Sequence, residues 1–500
     1  MANHLMILEV SQKQAYIFGS RKLRDNIRRS EEIRYVTSPE FFALVCPEDY
    51  SGENLVYSGG GHTVLQFDDL GHARRFARRL TEQVLRDFPA MELFVKICPY
   101  APDQTPGENL SALSAALEAK KARRQASFRR KSFGVEHPRQ PRHRYSRDYG
   151  IPQLAVGLPE GWALTANGEQ LAGADNFLAV VHLDGNAMGR RVQEIYKRCQ
   201  DSWEACVRQL QAFSAAVDAD FAAAYDAMTK DLVRALERLK YPAVRSEGKK
   251  VLPLRKVVGA GDDVCFIAAG SLALECTVSF LKHLSERRNQ IDGDGYAACA
   301  GVVLIHRKYP FRQAYDLSEE LCSNAKRFGA RLDPGGSVCA IDWHIEFGQL
   351  KGSLSQIRAD YQAEDGGRME LRPLVVLPGE ARVYPTERSY DFFRGVFRHL
   401  EREQRALPRS KIKRLRTAFR QGELETRLAL RQTETSELLW AGVSDRFPDF
   451  ARRILAGESL QEAFVTDDSD STEPVRRCLY FDAVELWDHM TFWEEGLLWD

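Results

Sequence analysis

The order of elements legible in this sequence predicts an α+β protein: two ferredoxin-like units in series, followed by a C-terminal helical domain. Three observations carry that expectation. Short apolar runs of strand length alternate with helix-period stretches in the order strand, helix, glycine hairpin, helix, strand. That order occurs twice, over about 5–97 and about 177–341, so the chain reads as an internal duplication. From about residue 351 strand signals give way to charged stretches with Leu, Ile and Phe at three- and four-residue steps.

The first unit opens with a buried strand at 5–10, not a signal peptide, because the N-terminus has no basic start, long apolar core or small-residue cleavage site. A short helix at 13–18 and a basic helical stretch at 21–34 follow. Residues 54–67 then read strand, glycine turn, strand, with Ser58, Gly59, Gly60 and Gly61 at the turn. An arginine-rich helix at 72–87 and a strand at 91–97 complete the unit. Between the units Pro102, Pro106 and Gly107 read as a loop, and a helix is expected from 111 to about 130. Residues 120–147 hold eleven Lys or Arg against the single Glu136, which reads either as a solvated linker or as a strip contacting RNA phosphates.

The second unit starts with a buried strand ending in Asp184, then the small turn Gly185-Asn186-Ala187. Helices over 190–240 lead to Lys256-Val-Val-Gly-Ala-Gly-Asp-Asp-Val-Cys-Phe-Ile267, a strand–turn–strand with Asp262 and Asp263 at its tip. A helix at 271–288, a strand at 295–305, a helix running through Lys326 and a strand at 338–341 finish it. The expected boundaries are 1–104 for the first unit, 105–175 for a basic linker, 176–350 for the second unit and 351–500 for the helical domain. Within the last, 466–474 reads as a mobile acidic loop and 482–490 as a final helix.

Bulk properties narrow the function classes. Five hundred residues exceed one ordinary core. Seventy basic and seventy acidic residues cancel, so any polyanion-binding surface is local. No apolar run approaches the roughly 18 residues that span a bilayer, so no membrane partner is expected. Ten cysteines without a Cys-x-x-Cys pair argue against a zinc ribbon and for free thiols in a reducing, cytoplasmic compartment.

The chemistry rests on carboxylates. An Asp-Asp turn by itself is usually a solvated turn, and a strand-terminal Asp is often a helix cap. Jointly, Asp184 at the end of one strand and Asp262-Asp263 on a neighbouring hairpin suit Mg²⁺ or Mn²⁺ holding a nucleoside triphosphate, such as ATP. Gly185, Asn186, Ala260 and Gly261 allow close approach to the backbone there, and Lys326 late in the following helix is placed to reach phosphates.

With these residues in view the chain resembles the large palm-domain subunit of type III CRISPR–Cas effector complexes, within the broader group of GGDEF-type cyclases and palm polymerases. Ala260-Gly-Asp-Asp263 is similar to the family's Gly-Gly-Asp-Asp, and Asp184-Gly-Asn-Ala-Met-Gly189 to its Asp-x-Asp-x-(Met/Leu)-Gly. Residues 300–310, Ala325-Lys326, 341–344, the 58–61 turn of a non-catalytic first palm and the segment from Leu407 complete the match. The resemblance implies two palm domains and joining of ATP into cyclic oligoadenylate. Asp184, Asp262 and Asp263 would be the catalytic, metal-holding residues. Lys326 would hold the triphosphate, and Ser58, Gly59, Gly60 and Gly61 a second nucleotide. Implied partners are ATP, guide or target RNA and other CRISPR effector subunits. Two other readings stay open: a non-catalytic RNA-binding scaffold subunit, and a homodimeric cyclic dinucleotide synthase. Ala260 and Asn186 depart from the family pattern, and no HD nuclease is expected ahead of the first palm.

Overall fold

The computed structural model describes residues 3–123, 158–173, 176–348, 353–381, 384–402 and 408–432, then shorter stretches between 444 and 493. The first unit runs β1 (His4–Ser11), α1 (Lys13–Ile17), α2 (Leu23–Val36), α3 (Pro39–Val45), β2 (Leu55–Gly59), β3 (His62–Phe67), α4 (Leu70–Asp87) and β4 (Glu92–Pro99). Its sheet has the order β2-β3-β1-β4, the ferredoxin-like arrangement. Helix α4 buries Ala73, Phe76, Leu80 and Val84, a three- and four-residue repeat, and its N-cap Asp69 accepts from His72 N at 3.0 Å.

Helix α5 (Pro106–Ala122) begins earlier than its sequence suggests. Pro106 and Gly107 are its first turn rather than a loop, because Thr105 and Glu108 form a capping box and proline at the first helical position lacks only an N–H that would go unused. Most of the basic strip at 120–147 lies outside the described residues. Two short elements follow, β5 (Trp162–Ala163) and α6 (Gly168–Ala172).

The second unit contains β6 (Phe177–Gly185), α7 (Met188–Arg198), α8 (Trp203–Arg238), β7 (Arg245–Ser246), β8 (Lys249–Val251), β9 (Leu254–Ala260), β10 (Asp263–Ala269), α9 (Ala273–Ser285), β11 (Ala298–His306), α10 (Phe311–Leu332), β12 (Cys339–Glu346), α11 (Leu354–Ala359) and β13 (Leu374–Leu377). The six-stranded sheet has the order β13-β12-β11-β6-β10-β9; β5, β8 and β7 form a small separate one. Its inner four strands repeat the first unit's topology, and β12 joins in parallel with β11. Strand β12 runs to Glu346, past the expected end at residue 341, because every residue along it is buried. Beyond residue 351 helices alone were expected, yet the apolar run Leu374–Leu377 adds an edge strand to this sheet.

Helix α10 lies close against β11. A Cβ on Gly301 would stand 2.0 Å from the Ser318 carbonyl oxygen and 2.5 Å from Cys322 N, so only glycine permits the approach. The two units pack through α8, whose Trp203, Gln211 and Ser214 donate to Gln66 Oε1 (2.6 Å), Leu55 O (2.7 Å) and Ser58 O (3.2 Å). Phe18 at the end of α1 stacks on Tyr315 of α10, centroids 4.2 Å apart.

The C-terminal region holds α12 (Tyr390–Arg402), α13 (Arg409–Gln421), α14 (Glu423–Gln432), a helix at Pro448–Gly457, the hairpin β14 (Phe464–Asp467) and β15 (Val475–Cys478), and a final helix Phe481–Leu486. Thr466 and Asp467, expected in a mobile acidic loop, end β14 instead, with Asp467 buried against Arg388 and Arg477. Buried ion pairs join this region to the second unit: Arg372 reaches Glu485 at 2.5 Å and Asp482 at 3.2 Å, and Tyr390 Oη donates to Glu275 Oε1 at 2.8 Å. All ten cysteines are free, and among the described residues no helix is long and apolar enough to cross a membrane.

Candidate functional site

Strand register builds the site. Asp263 pairs with Asp184 on one side and Ala260 on the other, and cross-strand partners share a face of the sheet. Asp184, Asp263 and the Ala260 methyl therefore project together, on the face covered by α10. The turn between β9 and β10 is the two-residue loop Gly261-Asp262, with Gly261 at φ +65°. It brings Asp262 against Gly185, where a Cβ would lie 2.9 Å from the Asp262 Cβ. Gly185 is thus a place made for Asp262. Gly259 similarly makes room for Lys256, whose side chain would lie 3.1 Å from a Cβ there.

Lys326 Nζ closes the group, donating to Asp184 Oδ2 at 2.6 Å and to the Gly185 carbonyl at 2.8 Å. Burial, the Asp184 charge and the two groups' mutual repulsion push Asp262 up to about 6. Burial and Asp184 push Asp263 up to about 7. These carboxylates are held close enough to resist ionisation, the condition that a divalent cation relieves. Asp263 Oδ1 is buried without a hydrogen-bond partner, an acceptor left for such an ion. Hard oxygen donors on Asp184, Asp262 and Asp263 fit Mg²⁺ or Mn²⁺ in chemistry, although among the described residues no three side chains already stand as a metal-ligating group.

Asn186 does not face the carboxylates. Its amide nitrogen donates to Gly336 O (3.1 Å) and Val338 O (2.8 Å), fixing the loop ahead of β12. The 58–61 turn is likewise largely occupied within the fold. Ser58 Oγ donates to Thr37 O at 2.9 Å, a Cβ on Gly59 would meet Ser214 Oγ, and the Gly60 carbonyl accepts from Lys13 Nζ. Gly60 and Gly61 have φ of +58° and +76°, as a two-residue hairpin with both central residues left-handed requires.

Lys13, missed in the sequence, links the two units: it bonds the first unit's turn, and its charge acts on Asp263. Burial lowers its pKa. His182 lies two residues before Asp184 on the same strand face, with Nδ1 3.5 Å from Asp263 Oδ1 and 3.4 Å from Tyr315 Oη. Burial lowers its pKa, keeping the imidazole neutral at pH 7. Strand period marks His182 in the sequence; nothing local marks Lys13. From α8, Asp218 accepts from Gly261 N at 3.1 Å and steadies the turn.

The fold and site define a two-palm protein whose second palm presents three carboxylates and a lysine toward the first. Residues 177–332 match the Cas10/Cmr2 family's second palm domain. Over the whole chain the structure is similar to a Csm1–Csm4 cassette in complex with cA4, at 14% identity and TM-score 0.53 over 97% of this chain and 69% of that one. It is also similar to the cassette in complex with one ATP, at 15% identity and TM-score 0.54 over 98% and 70%. Csm1 of T.onnurineus aligns at 14% identity and TM-score 0.57 over 98% and 70%. Comparison with curated proteins finds no match. The chain carries a Cas10/Cmr2 second palm domain within a Csm1-like fold, as the resemblance in its motifs implied.

Proposed function

We propose that the protein is a nucleotidyltransferase that joins ATP into cyclic oligoadenylate as part of type III CRISPR defence. The observation that supports this most directly is the register-built convergence of Asp184, Asp262 and Asp263 with Lys326. The reaction is attack by the ribose 3′-hydroxyl of one nucleotide on the α-phosphate of another, with pyrophosphate leaving. Asp184, Asp262 and Asp263 would hold Mg²⁺ or Mn²⁺, which supplies charge neutralisation of the phosphates. Lys326 stands ready to exchange its bond with Asp184 for a triphosphate oxygen, and Lys13 brings a second cation from the first palm. The solved relatives with ATP and cA4 bound are consistent with such ligands, and their cassette form suggests a partner subunit rather than a homodimer.

The test is incubation of the purified protein with ATP and Mn²⁺ or Mg²⁺, with and without RNA, and chromatography of the products. Adenylate oligomers are expected from the wild type and not from the Asp262→Ala/Asp263→Ala variant. No oligomer under any of these conditions refutes the reading and leaves a nucleotide-binding scaffold.

A further inference from the structure

We propose that an arginine-lined cavity between α10 and the C-terminal region binds an inorganic phosphoryl oxyanion that still carries a proton at neutral pH, of the phosphate or pyrophosphate class. The cavity, about 240 Å³, is lined by Arg327, Arg331, Arg358, Arg368, Arg372 and Arg477, with Glu370 the single carboxylate in the wall. It is smaller than the roughly 300–1,000 Å³ of pockets for drug-sized ligands, and suits a compact anion. It is separate from the carboxylate cluster. At 3.6 residues per turn, Asn324, Phe328 and Arg331, which also line it, lie on the side of α10 opposite Lys326. The inference does not rest on the proposed nucleotidyl transfer.

Three features point to a ligand. First, Arg358 and Arg372 are buried, 8% and 1% exposed, yet Arg358 Nη1 and Arg372 Nε and Nη2 have no hydrogen-bond partner. Each guanidinium spends other N–H groups on carboxylates, Arg358 on Asp342 and Arg372 on Glu485 and Asp482. Unpaired buried donors of this kind are costly unless an acceptor arrives.

Second, the charge does not balance inside the protein. The six cavity arginines and the adjoining Arg388 meet five carboxylates: Glu370, Asp342, Asp482, Glu485 and Asp467. A dianion would neutralise the excess, and planar guanidinium forks match phosphoryl oxygens in pairs.

Third, Glu370 sets the identity of that anion. Its Oε1 accepts from Arg368, while its Oε2 is buried without a partner. An acceptor facing an anion repels it unless the anion itself donates. Hydrogen phosphate has such a proton and sulfate does not, so phosphate satisfies the arginines and Glu370 together, whereas sulfate leaves a buried carboxylate oxygen against its own negative charge.

Isothermal titration at neutral pH, with phosphate, pyrophosphate and sulfate as separate titrants, tests this on the full chain. Phosphate or pyrophosphate should bind at least about tenfold more tightly than sulfate. The Arg327→Ala/Arg331→Ala variant, altered only at exposed positions at the mouth, should weaken phosphate by about tenfold or more. Glu370→Gln, whose amide donates, should bring sulfate close to phosphate in affinity. The Asp262→Asn/Asp263→Asn variant should bind phosphate like the wild type, which separates this cavity from the nucleotide site. Circular dichroism of each variant checks folding. Equal affinity for sulfate and phosphate, unchanged phosphate binding in the double arginine variant, loss of phosphate binding in the Asp262→Asn/Asp263→Asn variant, or no binding at millimolar phosphate would each overturn the proposal.

Discussion

Raising the pH in the presence of a chelator should weaken the fold through Asp263. Its carboxyl group is pushed from 3.8 up to about 7 and that of Asp262 up to about 6. A carboxyl group whose pKa is higher folded than unfolded binds more protons in the folded state. Its contribution is therefore full below about pH 4 and is lost as the pH climbs through about 7. One pKa unit corresponds to about 1.4 kcal/mol, so the Asp263 shift taken alone has a ceiling of about 4 kcal/mol. The Asp263 side chain is 40% exposed, and solvent screening reduces that to about 1–2 kcal/mol. Two histidines act in the opposite sense at low pH. Burial pushes His62 down to about 4 and lowers His182, so both cost stability as the pH falls below their ordinary range. The useful quantity is then the difference between wild type and Asp263→Asn in thermal unfolding with chelator, from about pH 5 to about pH 8. The variant should gain relative to wild type across that interval, by about 2–4 °C for each kcal/mol in a unit of this size. Added Mg²⁺ or Mn²⁺ should restore the wild type and not the variant. A variant that falls behind the wild type at the alkaline end in chelator would refute the assignment of repulsion to this cluster.

Asn186→Asp should destabilise by about 1–3 kcal/mol in denaturant titration, because a carboxylate cannot donate to the Gly336 and Val338 carbonyls and would face both. Gly301→Ala should cost about 3 kcal/mol or prevent folding, since its methyl meets the α10 backbone, while Gly261→Ala should cost only about 1–2 kcal/mol, from its left-handed φ in open space. Lys326→Met removes the cation bonded to Asp184; in chelator at alkaline pH the variant should unfold at lower temperature than wild type, and Mg²⁺ should narrow the gap.

The duplicated strand and helix order was legible because each unit's strands are short apolar runs between glycine turns, and period alone separates them from helices such as α4. Strand β13 was not, since four apolar residues in a charged, helix-period region carry too little pattern to announce a sheet edge. The start of α5 was misread because Pro and Gly in sequence signal a loop, whereas Thr105 and Glu108 turn the same residues into a capped first turn. Within the site, Asp184, Asp262, Asp263 and Lys326 stood out and the fold brings them together. Asn186 stood out equally and points away, because its partners, the carbonyls of Gly336 and Val338, lie 150 and 152 residues further on.

What the sequence determined by itself is therefore local and periodic: two palm-like units, the hairpin at Ala260–Asp263 and the chemical types of the carboxylates. Those follow from side-chain period and turn geometry, which depend on neighbours along the chain. What only the tertiary structure decided is which groups meet. Register set Asp263 beside Asp184, the Gly301 contact let α10 carry Lys326 to them, and Lys13 arrived from the other unit. The arginine cavity likewise gathers residues from α10, α11, the strand-flanking loop and β15. Burial and charge repulsion act through space, so pKa shifts, unpaired donors and the identity of partners emerge only once distant segments are packed together.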